Sequence, residues 1–237
     1  MAKVIAINGS PQMEKGNTAV VLAPFVQGMT DAGAEVEVVH AKRLKVKPCG
    51  CGEMRCWYAT PGECLIQDDM QTLYAKLREA SILVLATPVY IPLPGEMQNV
   101  INRLCPLVEP FLEFRGGRTR ARFRKDVRIR RIALVATGGW WELGNFGTVV
   151  RIAEELAEVT RVEFAGAVLR PHAFLMQDKG EFTEDGKVVL DALSGAGREL
   201  IREGEMSQET LDAIARPLIP EAELRRRYNA LVGRGGE

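Results

Sequence analysis

The chain has 237 residues, 46% of them hydrophobic and 26% charged, which suits one large or one-and-a-half globular domains. Its 31 basic and 31 acidic residues cancel, so the net charge favours neither nucleic acid nor an anionic membrane as a partner. No apolar run approaches the roughly 20 residues that span a bilayer, and the N-terminus lacks a cleavable signal, so we expect a cytoplasmic protein.

Strand and helix patterns alternate along residues 1–169. The predicted strands lie at 3–8, 35–40, 82–86, 131–137 and 162–169. The predicted helices lie at 17–33, 68–80, 96–114 and 148–159, and the third is expected to be interrupted near Pro106 and Pro110. Because crossovers between parallel strands are right-handed, this alternation predicts an α/β domain with a doubly wound, five-stranded parallel sheet.

The remainder of the chain, 170–237, has two or three amphipathic helical patterns and no strand pattern. We expect a helical extension that packs on the core or on a partner subunit. Its apolar residues exceed what a peripheral tail needs if helices already cover both faces of the sheet. They include Leu200, Ile201, Leu211, Ile214, Leu218, Leu224 and Leu231. We therefore expect the extension to build a homodimer or homotetramer.

A basic stretch precedes the fourth predicted strand. Residues 115–131 contain nine arginines and lysines and one acid, Asp126, and the alternation over 118–124 resembles a hairpin with an arginine face. Two interpretations stay open, a solvated or subunit-contacting face and a docking patch for a nicotinamide phosphate. The stretch has too few aromatic residues to stack single-stranded nucleic acid.

In an open α/β sheet the ligand binds beyond the carboxyl ends of the strands, so the loops after the first, third and fourth predicted strands are informative. The first loop, 8–18, combines Ser10, Gly16, Asn17 and Thr18 at the start of a helix, a pattern that favours a terminal phosphate. Neither a P-loop lysine motif nor a GxGxxG is present, which argues against ATP and a Rossmann-type dinucleotide. The alternative is a capped strand-to-helix turn without a ligand.

The second loop, 87–97, is stiffened by three prolines and includes Pro88, Val89 and Tyr90. We expect its N–H groups to face a cleft that suits a flat heteroaromatic ring.

The third loop begins at Thr137 and continues through Gly138, Gly139 and Trp140. Its glycines permit close backbone approach, and Trp140 or Trp141 is expected to cover the ring, the alternative being a structural role for one tryptophan. Phosphate, planar ring and aromatic cover together describe FMN. Both histidines are interpreted as structural.

Four of the five cysteines lie within sixteen positions, at Cys49, Cys51, Cys56 and Cys64. In a long cytosolic chain such clustering favours metal ligation or redox chemistry over a disulfide framework. A 4Fe–4S cluster, a zinc ion and reduced thiols in a lid-like loop stay open. Any metal is expected to involve Cys56, Cys64 and at least one of Cys49 and Cys51. Cys105 is assigned to the core.

The combined motifs resemble the NADPH-dependent FMN reductase and iron–sulfur flavoprotein family. They are NGSP at 8–11, GNT at 16–18, DDM at 68–70, PVY at 88–90 and the Gly-Gly-Trp turn at 138–140. The resemblance covers about residues 3–172 and implies a flavodoxin-like fold, FMN held by the three loops, and homo-oligomers that help wall the flavin. It implies that Ser10, Asn17 and Thr18 bind the phosphate and that the 88–90 segment binds the ring.

The cysteine spacing departs from the resemblance. Iron–sulfur flavoproteins carry a compact C-x2-C-x2-C followed by a fourth cysteine, whereas this chain has C-x-C-x4-C-x7-C within a loop inserted at 48–64.

Three functions follow as hypotheses, one of them a non-catalytic binding module with a structural zinc loop. The first is an oxidoreductase in which NAD(P)H reduces FMN and the electrons pass to a quinone, nitro compound, free flavin, metal ion or protein. The alternative is an electron carrier between FMN, a 4Fe–4S cluster and a protein partner.

Overall fold

The computed structural model describes residues 1–52, 54–231 and 233. The first half contains β1 (Lys3–Asn8), α1 (Asn17–Asp31), β2 (Glu35–His40), α2 (Arg55–Tyr58), α3 (Met70–Glu79), β3 (Ile82–Pro88) and α4 (Gly95–Asn102). The middle contains β4 (Val108–Arg115), β5 (Arg118–Phe123), β6 (Arg131–Thr137), α5 (Gly147–Thr160) and β7 (Glu163–Arg170). The last part contains β8 (Gln177–Asp178), β9 (Glu181–Phe182), α6 (Glu184–Arg202), α7 (Gln208–Ala215) and α8 (Glu221–Leu231). None of these helices is both long enough and apolar enough to cross a membrane.

The central sheet has five parallel strands in the order β2-β1-β3-β6-β7. The aliphatic strands β3 and β6 are buried along nearly their whole length, as expected for strands covered by helices on both faces. Strand order reverses at β1, which makes the crevice between the ends of β1 and β3 the switch point of the sheet. The predicted flavodoxin-like, doubly wound fold is confirmed.

The two faces of the sheet are covered by different sets of helices. Buried side chains of α3, α4 and α5 form a core on one face. On the other face, the core combines α1 with α6 of the C-terminal extension. The two helices approach closely at two glycines, because a Cβ on Gly28 would lie 2.0 Å from the carbonyl oxygen of Ser194 and one on Gly197 2.1 Å from that of Phe25.

The extension therefore packs on the core, which is one of the two placements expected from the sequence, and the expected oligomer stays a prediction. Leu200, Ile214 and Leu224 are buried within the chain itself, and Ile201, Leu211 and Leu218 pack against the same core. The reason is that α1 alone does not cover its face of the sheet. The division into residues 1–169 and 170–237 stays a prediction, with this shared core between the two parts.

Two predictions of secondary structure are wrong. The predicted helix at 96–114 ends at Asn102, and the chain then enters β4, which pairs with β5 as an antiparallel hairpin. Pro106 and Pro110 have no N–H group to continue a helix, and an edge strand tolerates this loss. The arginine-rich alternation is indeed one arm of a hairpin. The extension, predicted to lack strands, contains the two-residue strands β8 and β9.

Candidate functional site

The three loops singled out in the sequence meet at the carboxyl edge of the sheet. Thr137, the last residue of β6, connects them. Its hydroxyl lies 2.8 Å from the hydroxyl of Thr18 at the start of α1, and its carbonyl accepts a hydrogen bond of 2.8 Å from the Val89 N–H. Both threonines are buried. One hydroxyl of the pair donates to the other, whose own proton is then available to an acceptor.

The first loop is a tight turn that ends at an uncapped helix. The Ser10 N–H donates to Asn8 Oδ1 at 2.9 Å, and Ser10 Oγ accepts from the Gln12 N–H at 3.3 Å. Ser10 and Gly16 are buried and Asn17 is exposed. No side chain caps the N-terminus of α1. The unpaired N–H groups of a first helical turn favour an anion at this position.

The second loop contributes side chains and shape more than backbone donors. Contrary to the expectation from sequence, the N–H groups of Val89 and Tyr90 are used internally, by Thr137 O and by Pro92 O at 2.9 Å. They are used because the loop folds back on itself and on the end of β6. Pro88 and Val89 are half-buried, whereas Tyr90 is 53% exposed and Ile91 is fully exposed.

The third loop is fastened to the end of β7. The Gly138 N–H donates to Arg170 O at 3.1 Å, and the Ala173 N–H donates to Gly138 O at 3.3 Å. Trp140 is 67% exposed at this edge. The two tryptophans differ, because Trp141 is half-buried and its indole N–H donates to Ile219 O at 2.9 Å.

A buried arginine and histidine support the third loop from beneath. Arg170 is fully buried, and its guanidinium donates to the carbonyls of Pro171, Ile214 and Arg216. His172 Nε2 lies 3.1 Å from Arg170 Nη2 and accepts from the Leu218 N–H at 3.0 Å. Because Nε2 accepts, the imidazole is neutral, and burial followed by the charge of Arg170 lowers the pKa of His172 to about 4.

Sequence reasoning identified His172 as structural but missed its role and missed Arg170. Their partners Ile214, Arg216 and Leu218 lie more than forty positions along the chain. The only sequence signal was an Arg-Pro-His triplet at the end of a strand.

The acidic motif at 68–70 anchors the segment that leads into the cysteine loop. Asp68 forms a fully buried ion pair with Arg103, with oxygen–nitrogen distances of 2.7 and 3.0 Å. Burial opposes ionisation of Asp68, but hydrogen bonds from Arg103 and from the Lys47 and Met70 N–H groups outweigh burial and lower its pKa. Asp69 accepts from the Lys45 N–H at 2.7 Å, so the motif is an anchor for 45–47.

Two pairs of cysteines are neighbours. Cys51 lies beside Cys49, and Cys105 lies beside Cys56. Burial and the neighbouring Cys56 thiol raise the pKa of Cys105 to about 12. Cys105, which the sequence analysis assigned to the core, is therefore also a neighbour of the clustered cysteines. Cys64 lies instead beside Tyr74, whose hydroxyl donates to Arg103 O at 2.7 Å.

No three histidine, cysteine, aspartate or glutamate side chains in the described ranges are grouped closely enough to hold a metal ion. The set of four cysteine ligands, Cys49, Cys51, Cys56 and Cys64, stays a prediction.

The basic hairpin is largely neutralised by the chain itself. Arg120 pairs with Glu158 of α5 at 3.3 Å and Arg122 with Glu109 of β4 at 2.6 Å. These pairs favour the interpretation of this stretch as a solvated face over a docking patch for a nicotinamide phosphate.

Comparison with known proteins identifies the family to which the chain belongs. The sequence profile of NADPH-dependent FMN reductases matches residues 2–180. An iron–sulfur flavoprotein of Archaeoglobus fulgidus is 34% identical over 103 residues, which are 43% of this chain and 48% of that protein. One of Methanosarcina thermophila is 29% identical over 103 residues, 43% of this chain and 51% of that protein. The chain thus spans about half the length of the curated relatives it matches.

Solved structures share the fold at low sequence identity. An NAD(P)H:quinone oxidoreductase from Methanothermobacter marburgensis superposes with a TM-score of 0.55 at 17% identity, covering 84% of this chain and 94% of that one. An FMN-dependent NADH-azoreductase from Bacillus anthracis, solved in complex with FMN, superposes with a TM-score of 0.56 at 12% identity, covering 86% and 99%.

Proposed function

Because the chain belongs to the family of NADPH-dependent FMN reductases, we propose that it is an oxidoreductase that binds FMN at the carboxyl edge of its sheet. Electrons pass from NAD(P)H through FMN to a second acceptor, a quinone, flavin, nitro compound, metal ion or protein. The observation that carries the proposal is the hydrogen bonding of Thr137 to Thr18 and Val89, which joins three loops at the switch point.

The phosphate of FMN is held by the first loop in this proposal. Ser10, Gly16, Asn17 and Thr18 surround the uncapped start of α1, where N–H groups and the helix dipole favour a dianion. The buried hydroxyl pair of Thr18 and Thr137 supplies one further donor. This donor set contains hydroxyls and backbone amides, which suit phosphate oxygens.

The ring is held by the second and third loops. Pro88, Val89 and Tyr90 form one side, and Thr137, Gly138, Gly139 and Trp140 form the other. Tyr90 and Trp140 are each more than half exposed, and exposed aromatic side chains at one edge are typical of a ligand site. When bound, FMN supplies the hydride and single-electron chemistry, while these residues bind the ring, orient it and exclude water from one face.

No step of this proposal runs through an iron–sulfur cluster. The electron carrier with a 4Fe–4S cluster stays the alternative, motivated by the names of the relatives and by the cysteines at 49, 51, 56 and 64. The five cysteines are free of disulfides, which suits a reducing compartment, and we propose the cytoplasm.

We further propose a homodimer or homotetramer with a small-molecule or protein electron acceptor and without nucleic acid or membrane partners. The support for an oligomer lies in the β4–β5 hairpin, where Phe111, Leu112 and Phe114 are 55%, 58% and 80% exposed. Such exposed apolar patches are typical of protein interfaces.

The phosphate loop provides the test. We expect the double variant Ser10→Ala/Thr18→Ala to bind FMN about 100-fold more weakly, because two hydrogen bonds to a dianion, together worth about 3 kcal/mol, are lost. Equilibrium dialysis followed by flavin absorbance measures this. Ser81→Ala, at the opposite edge of the sheet, is the control and should retain FMN. Stoichiometric FMN in the folded double variant would refute the assignment.

Anaerobic mixing with NADPH separates the two functions. Rapid bleaching of the flavin supports the reductase. Negligible NADPH oxidation together with four irons per chain would support the carrier.

A further inference from the structure

A cleft lies between the third loop and α8, the last described helix. Its volume is about 280 Å³, close to the lower end of small-molecule sites at about 300 Å³. Its walls include Trp140, Trp141 and Glu142 on the loop and Glu221, Arg225 and Tyr228 on the helix. The family profile ends at residue 180, so α8 is a wall that the matched family region does not provide.

The helix is docked onto the loop by specific contacts. The Tyr228 hydroxyl donates to Gly139 O at 3.4 Å, and the Tyr228 ring packs edge-on against Phe174 at 6.0 Å between centroids. A Cβ on Gly139 would lie 2.9 Å from the Tyr228 oxygen, so a larger residue at this position would displace the end of the Tyr228 side chain. Trp141 ties the same loop to Ile219, just before α8.

The chemistry of the cleft selects its ligand. Three aromatic rings line a space that fits two or three fused rings but is too small for a whole dinucleotide. Two carboxylates face one guanidinium. Arg225 is paired with Glu221 at 2.9 Å, which leaves Glu142 as the uncompensated charge, bonded only to the Asn145 amide among the described contacts. A ligand with its own negative charge is therefore disfavoured.

We propose that this cleft binds the electron acceptor and that the acceptor is an uncharged planar aromatic molecule of the quinone class. The assignment rests on the proposed function, because the cleft adjoins the loop proposed to hold the flavin. The balanced reaction is NAD(P)H + H⁺ + quinone → NAD(P)⁺ + hydroquinone. Two electrons and two protons reach the quinone, and the nicotinamide is oxidised.

The first experiment measures binding without turnover. Tryptophan fluorescence of the full chain is titrated with 2-(hydroxymethyl)anthraquinone and, separately, with anthraquinone-2-sulfonate, its anionic counterpart. We expect the neutral quinone to quench and to bind about tenfold more tightly than the sulfonate. Tyr228→Ala should weaken the neutral quinone about tenfold, and Tyr228→Phe, which keeps the ring, should not. Glu142→Gln should reduce the ratio between the affinities for the neutral quinone and for the sulfonate, because it removes the negative charge that disfavours the sulfonate.

The control is Leu231→Ala, which removes an 83% exposed side chain from the same helix outside the cleft. It should bind both quinones as the unmodified protein does. Equal affinity for the two quinones, or undiminished binding by Tyr228→Ala, would overturn the proposal. Because Glu142→Gln leaves α8 and its contacts intact, an unchanged preference in that variant would overturn it as well.

The second experiment places the cleft in the reaction. In the FMN-loaded enzyme, Tyr228→Ala should raise KM for the neutral quinone about tenfold. In the control Leu231→Ala, KM for the neutral quinone, the rate with ferricyanide and the bleaching of flavin by NADPH should not change. An unchanged KM in Tyr228→Ala would overturn the role in acceptor binding. Failure of the unmodified protein to bind FMN would instead refute the proposed function, and the fluorescence titration would still decide whether the cleft binds a quinone.

Discussion

At the scale of single residues, the site depends on buried polar groups beneath the exposed ones. Arg170 and His172 carry no ligand in our proposal, yet they bond the end of β7 to the segment before α8. Burial lowers the pKa of Arg170 to about 10, with the nearby Arg216 charge as the second cause. Backbone carbonyls, and no carboxylate among its described partners, accept hydrogen bonds from the Arg170 guanidinium. A second positive charge on His172 would therefore be repelled by Arg170.

The lowered pKa of His172 predicts a pH-dependent stability. The unfolded chain binds a proton near pH 6.5 and the folded chain only near pH 4, so stability is lost as pH falls through this window. The loss attributable to His172 is up to about 3 kcal/mol. Asn tolerates the left-handed backbone at this position, where φ is 39°. We expect His172→Asn to flatten the decline between pH 6.5 and 4, as measured by urea unfolding at several pH values. Identical pH slopes for the two proteins would contradict the assignment.

At the scale of elements, the contact between α1 and α6 determines whether the extension is part of the fold. Gly28 and Gly197 allow the helix backbones to touch, and α6 buries Val189, Leu193 and Ala196 against the sheet. This contact explains why a helix that begins after residue 180 cannot be treated as a dispensable tail.

Two glycines of α6 offer a matched test. Gly197→Ala places a methyl group 2.1 Å from Phe25 O and should destabilise the fold by about 1–3 kcal/mol or more. Gly195→Ala adds the same methyl group where the nearest atom is 3.9 Å away, and should be neutral or stabilising by up to about 1 kcal/mol. Chemical denaturation measures both. Equal changes in the free energy of unfolding for the two variants would contradict the close contact between α1 and α6.

At the scale of the whole molecule, the apolar surface lies where the sequence analysis did not expect it. The extension turns most of its apolar residues inward, whereas the β4–β5 hairpin projects three outward. A two-stranded hairpin with exposed apolar residues is marginally stable alone, so a second copy of the chain is the partner we propose.

The hairpin predicts the oligomeric state of variants. We expect a dimer or tetramer at micromolar concentration by light scattering, and Leu112→Glu/Phe114→Glu should give a folded monomer, because charge is placed in an apolar contact. Val188→Glu, on an exposed position of α6, is the control and should keep the oligomer. A stable monomer of the unmodified chain would refute the proposed assembly.

The sequence by itself determined the five strands, their parallel arrangement and the three loops at their carboxyl ends. These features follow from local signals, since aliphatic runs form buried strands and Gly, Ser, Thr and Pro mark the turns. The sequence predicted only one strand of the hairpin. The alternation of arginines indicated β5, whereas the residues of β4 fit a helical pattern and were assigned to a helix.

Only the tertiary structure decided which groups meet across long separations. It brought Thr18 to Thr137, Cys56 to Cys105 and Tyr228 to Gly139. It also turned the extension onto the sheet, because a helix with an apolar stripe packs against whichever uncovered face the chain can reach. Amphipathic spacing records that a helix face is buried and carries no information about which surface buries it.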